Sequence, residues 1–127
     1  MLIHIQPADP RPIYIQIMDE VRRARVIGTL QPEDPLPSVR QLAADLRVNP
    51  TTVQQAYREL EREGVVYVRR GQGTFATMAP IDGVDRRAIA SGIAQRALVE
   101  AHRSGLRAQD LIDAIRLIES TANENNP

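Results

Sequence analysis

Apolar residues recur every three or four positions along five stretches of this chain, and between the third and fourth that period breaks. Ile13, Ile17, Val21, Ala24 and Ile27 mark one face of a helix that opens at Pro12 and runs to about Ile27. Val39, Leu42, Ala43 and Leu46 mark a second helix, and Val53, Ala56, Tyr57 and Leu60 a third. Asp85 to about Arg103 carries Ile89, Ile93, Ala97 and Ala101 on one face. Ala108 to Ala122 carries Leu111, Ile115, Ile118 and Ala122, with Ile112 beside them. The break falls in VVYVRRGQGTFAT at 65–77, where β-branched and aromatic residues flank Arg69-Arg70-Gly71-Gln72-Gly73. That arrangement predicts a β-hairpin with a basic tip. Residues 2–5, LIHI, read as an extended strand or arm. Thr29 to Ser38, with three prolines and two acids, reads as a loop with a short strand pairing near Leu36.

The ends of the second and third helices are marked by their own chemistry. Ser38 followed three residues later by Gln41 is a capping box, in which each side chain satisfies an orphan N–H of the other. Asn49 is a strong cap, and Pro50 fits the first helical position because the N–H it lacks has no partner there. Only Arg47-Val48-Asn49 separate the two helices, and Glu63-Gly64 closes the second. Two short amphipathic helices with so small a joint predict a helix-turn-helix, and the hairpin after it predicts a wing. The expected fold is α+β, mostly α: an N-terminal winged helix-turn-helix followed by two helices.

The polar face of the third helix holds Thr51, Thr52, Gln54, Gln55, Arg58 and Arg62. Hydroxyls, amides and guanidiniums of this kind read base edges and phosphates in a major groove, and a basic wing tip suits a minor groove or a phosphate. A solvated turn is the bland reading of Arg69-Arg70. Charge bears on the choice. Sixteen basic residues, every one arginine, balance sixteen acids, whereas DNA binders are usually basic overall. Glu59, Glu61 and Glu63 sit at the far end of the third helix, where they are expected to point away from DNA approached by its N-terminus. Two readings stay open: a DNA-binding regulator, and a winged-helix protein-interaction module without DNA binding.

Other functions find little support. The chain has no cysteine, which excludes disulfide and thiolate chemistry. His4 and His102 lie on separate segments with no H-E-x-x-H pattern, and Ser38 and Ser104 sit at helix ends, so neither an enzyme, a metal site nor a cofactor is expected. No apolar run approaches the ~18 residues of a membrane span, and no signal peptide opens the chain, so a cytoplasmic protein is expected. Proline and glycine from Met78 to Gly83 predict a boundary between a DNA-binding domain at 1–78 and a two-helix region at 79–127. Two helices cannot enclose a core alone, so this hairpin is expected to join two copies through residues 80–122. No cluster of polar groups in it marks an effector site.

With these elements in place the chain resembles the GntR family of bacterial transcription regulators. The matching residues are PIYIQI at 12–17, LPSVRQLAADLRVNPTTVQQAYRELEREG at 36–64 and RRGQGTF at 69–75. The short two-helix tail is similar to the YtrA subfamily rather than to branches with a larger effector-binding or aminotransferase-like domain. The resemblance implies a dimeric repressor on an inverted-repeat operator. It implies DNA contacts at Arg40, at Asn49, Thr51, Thr52 and Gln54, and at the wing tip Arg70 and Gly71; Arg58, on the polar face of the third helix, is expected on the DNA backbone. Pro50 departs from members with a basic residue there, which shifts the expected readout toward Arg40, Thr51, Thr52 and Gln54. Arg47 stands where a glycine is often found, and Arg107 where a small capping residue is expected.

Overall fold

The computed structural model describes residues 3–78 and 83–125. Helix α1 spans Ile13–Ile27, α2 Val39–Leu46 and α3 Pro50–Arg62. Strands β1, Val66–Arg69, and β2, Gly73–Ala76, form an antiparallel hairpin; α4, Gly83–Arg103, and α5, Ala108–Asn125, follow. The described residues divide into two compact units, 1–7 with 11–92 and 8–10 with 93–127, so the division falls inside α4. Residues 79–82, at the expected boundary, lie outside the described residues, as do Leu2 and the last two residues.

In the first unit α3 packs against α1, α2 and β1. Ile17 and Val21 of α1, Val53 and Leu60 of α3, and Val66 of β1 are fully buried and form its centre. The four helical residues are among those that the three-and-four spacing put on inward faces. At ~1.5–3 kcal/mol per buried aliphatic side chain, this cluster is the main force holding the helices together.

Three chain reversals use one device. Val48, Val65 and Leu106 donate their N–H groups back to Ala43, Leu60 and Ala101 at 2.8–3.0 Å, each just after a residue with positive φ. That residue is Gly64 and Gly105 in two cases, but Arg47 at the helix-turn-helix joint. Ser38 caps α2 by accepting the Gln41 N–H at 3.0 Å, while the Gln41 side chain turns to Asp45 at 2.8 Å; only half of the expected capping box forms. Asn49 accepts the Thr51 N–H at 2.8 Å. At α5 the missing small cap is replaced from the other side: Asp110 accepts the Arg107 N–H at 2.8 Å.

Residues 3–6 are not a strand. The only sheet among the described residues is β1–β2, and the arm has no neighbouring strand to pair with. It is fixed instead by burial of Ile3 and by a hydrogen bond from the Gln6 N–H to the Gln16 side chain at 2.9 Å. The proline-rich loop does pair near Leu36, where Pro35 bridges Phe75 and the Leu36 N–H bonds Thr74 O at 2.8 Å.

Arg22 is 8% exposed and joins three elements of this unit. It donates to Asp19 at 2.8 Å and to Glu63 at the end of α3, and its Nε lies 3.7 Å from Asp85 in the first turn of α4. Two turns on, Gly92 lies so close to the Arg11–Asp19 ion pair that a Cβ there would meet both side chains at 2.7 Å. The first turns of α4 therefore belong to the winged helix.

In the second unit Ala101 is buried, and Ala97, Leu98 and Leu111 are half-buried between α4 and α5. An apolar cleft of about 220 Å³ lies between these helices, lined by Ala94, Leu98, Ala108, Ile112 and Ile115 among others. Arg96 pairs with the buried Asp9 at 3.4 Å. Ile115 and Ile118 remain 57% and 67% exposed, and Ile112 and Leu117 are exposed as well.

Candidate nucleic-acid interface

The N-terminal end of α3 is built by its cap. Because Asn49 Oδ1 receives the Thr51 N–H, the helix starts cleanly and its first turn is presented with Asn49, Pro50 and Thr51 all exposed. Thr52 is half-buried; Gln54 and Arg58 are exposed. The middle of α3 is anchored by Tyr57, whose hydroxyl donates to Pro37 O at 2.7 Å; burial pushes this phenol up from its ordinary pKa, so it stays a donor. Arg40, at the second position of α2, is exposed. Arg40, Arg58 and Arg70 have no hydrogen-bonding or ion-pair partner among the described residues.

Gln54, Arg58 and Glu61 follow one stripe of α3 at intervals of four and three, and they line a groove of about 360 Å³. Its far wall is the hairpin, through Val68 and Thr74, which face each other across the strands. The structure thus brings two of the expected contact residues, Gln54 and Arg58, to one channel between helix and wing. Arg40, Asn49, Thr51 and Thr52 stand at the helix starts, and Arg70 and Gly71 in the hairpin turn. There the Gln72 N–H bonds Arg69 O at 2.9 Å and Gly71 has φ 78° at the third position of the turn, which type II geometry requires.

The acids of α3 do not behave as a group. Glu59 pairs with Arg62 at 3.1 Å and Glu63 with Arg22, whereas Glu61 lines the wing groove. The two wing arginines also part company. Arg69 lies 4.0 Å over the Phe75 ring and 5.3 Å from the Tyr67 ring, and its guanidinium bonds the Tyr67 hydroxyl and Glu33. Those bonds, Tyr67 foremost and then Glu33, favour its charged form and commit it to the protein. Arg70 is left as the exposed cation of the turn. Glu33 and Glu61 were not singled out as site residues by sequence, because nothing local distinguishes either from other surface acids.

None of the described helices is long and apolar enough to cross a membrane. Residues 13–76 match the family model for bacterial regulatory proteins of the gntR family. The chain is 34% identical over 123 residues to the HTH-type transcriptional repressor YtrA of Bacillus subtilis, covering 94% of this chain and 93% of that one. Its fold is similar to that of the solved YtrA from Sulfolobus acidocaldarius, described as a GntR-family transcription factor: TM-score 0.60 and 34% identity, over 74% of this chain and 99% of that one. The AraR DNA-binding domain in complex with operator ORX1 shares the fold at 23% identity and TM-score 0.52, over 61% of this chain and 93% of that one. A capped two-helix unit, a hairpin wing and a family match across both place this chain in the GntR family of bacterial regulatory proteins, in its YtrA branch.

Proposed function

We propose that this protein is a sequence-specific DNA-binding transcriptional repressor that acts in the cytoplasm and has no catalytic activity. The observation that carries this reading is the capped start of α3, with its exposed polar stripe, set beside a hairpin whose turn holds the exposed Arg70. α3 enters a major groove with its N-terminal end; Asn49, Thr51, Thr52 and Gln54 meet bases or adjacent phosphates. Arg40 is bidentate to a guanine, Arg58 binds backbone in the wing groove, and Arg70 with Gly71 meets the flanking minor groove or a phosphate.

The working form is a homodimer. Residues 1–78 read DNA and residues 80–122 join two copies, an assignment supported by the exposed aliphatic side chains of α5. Two-fold symmetry then places half-sites of an inverted repeat about one helical turn apart, or a multiple of it. Selection of sites from random duplex DNA by the purified protein, with affinities measured across a salt series, tests this. The expected result is an enriched inverted repeat bound at least ~10³-fold more tightly than a scrambled duplex. Absence of any enrichment would instead favour a protein-interaction module, consistent with the zero net charge.

A further inference from the structure

Among the described residues Glu33 is, besides Arg47, a non-glycine residue with positive φ, at 70°, in the middle of the proline-rich loop. Left-handed backbone costs an ordinary side chain of order 1 kcal/mol and persists only where the surroundings impose it. The surroundings here are the wing. The Glu33 N–H bonds Ala76 O at 2.9 Å, and the next residue returns the pattern, Asp34 O accepting the Ala76 N–H at 2.9 Å. The Glu33 carboxylate accepts from both Tyr67 and Arg69 on β1. With Pro35 bridged to Phe75 and Leu36 bonded to Thr74, residues 33–36 lie along β2 as a strap. Both backbone and side chain of Glu33 thus hold the hairpin, and its carboxylate fixes Arg69, the residue immediately before the wing-tip Arg70.

We infer that Glu33 is the positioning residue of the wing: its clamp on Tyr67 and Arg69 sets the direction in which Arg70 is presented to DNA. A two-stranded hairpin is marginal by itself, and an exposed arginine at its tip is useful only if the strands beneath it are held still. The clamp accounts for an acid in left-handed backbone in this loop, and for the engagement of one of two adjacent arginines by the protein while the other stays open. The inference rests on the DNA-binding reading proposed above.

The test is a double-mutant cycle with the full-length protein, using two duplexes of equal length: the one enriched from random sequence by the wild type, and a scrambled control. Glu33→Gln is expected to weaken binding to the enriched duplex three- to tenfold. In the Arg70→Ala background the same change is expected to cost less than twofold, since there is no tip cation left to position. Glu33→Gly relieves the left-handed strain while removing the clamp, so it is expected to melt no lower than Glu33→Gln yet to bind as weakly. Equal losses in both backgrounds would overturn the inference. So would tighter binding by Glu33→Gln, which would mean that the carboxylate only screens Arg69 from DNA. A wild type with no preference for any duplex would instead overturn the regulator reading, and the inference with it.

Discussion

Arg47 holds φ 56° and ψ 45° at the joint between α2 and α3. Gly64 and Gly105 occupy the equivalent place in the other two reversals that close with the same backbone bond. A side chain in left-handed backbone costs roughly 1–2 kcal/mol, and glycine recovers part of this because its own unfolded chain is freer. Arg47→Gly is therefore expected to stabilise the protein by about 0.5–1 kcal/mol, seen as a higher urea midpoint at unchanged slope. A lower midpoint would mean that the exposed guanidinium makes a stabilising contact the backbone does not reveal. The neighbouring pair Arg69 and Arg70 makes a related point: two residues of one type, side by side, differ because one faces an aromatic and acidic clamp and the other faces solvent.

The elements meet at α3, which touches α1, α2 and β1 and is tied at its far end by Arg22. Arg22 is a buried cation with several acidic partners, and Asp19 keeps Arg11 if Arg22 is lost. Breaking a buried pair by removing one member costs ~3–5 kcal/mol, because the remaining charge is stranded. Glu63 is partly open to water, so Arg22→Met is expected at the low end, a loss of about 3 kcal/mol in urea unfolding. A neutral outcome would show that hydrocarbon in this position packs as well as the ion cluster. Helix starts and stops were readable because they depend on residues within four positions of each other. The attachment of the first turns of α4 to α1 was not: Asp85 and Gly92 give no local sign that they meet Arg22 and the Arg11–Asp19 pair.

Seen as one chain, the protein has no net charge, and the structure shows where that neutrality is used. Many arginines are matched internally, Arg11, Arg22, Arg62, Arg69 and Arg96 among them, while Arg40, Arg58 and Arg70 stay open among the described residues. Local distribution, not the sum, steers association with a polyanion. In the C-terminal unit the exposed Ile115 and Ile118 share a face of α5 at a spacing of three. Ile115→Glu together with Ile118→Glu is expected to give a monomer at micromolar concentration by analytical ultracentrifugation, with tight binding to an inverted repeat lost. A double variant that still sediments as a dimer would move the interface elsewhere.

By itself the amino-acid order determined the helices, the hairpin and the winged helix-turn-helix. These follow from periodicity, caps and turn residues, and the energies involved act between near neighbours in the chain. Tertiary structure alone decided the rest. It left residues 3–6 unpaired, placed Glu61 in the wing groove, and set the first turns of α4 against Arg22 and the Arg11–Asp19 pair. It also joined Arg69 to an acid thirty-six positions away. An ion pair or a groove depends on which surfaces packing brings together, and for residues so far apart in sequence no local pattern encodes that choice.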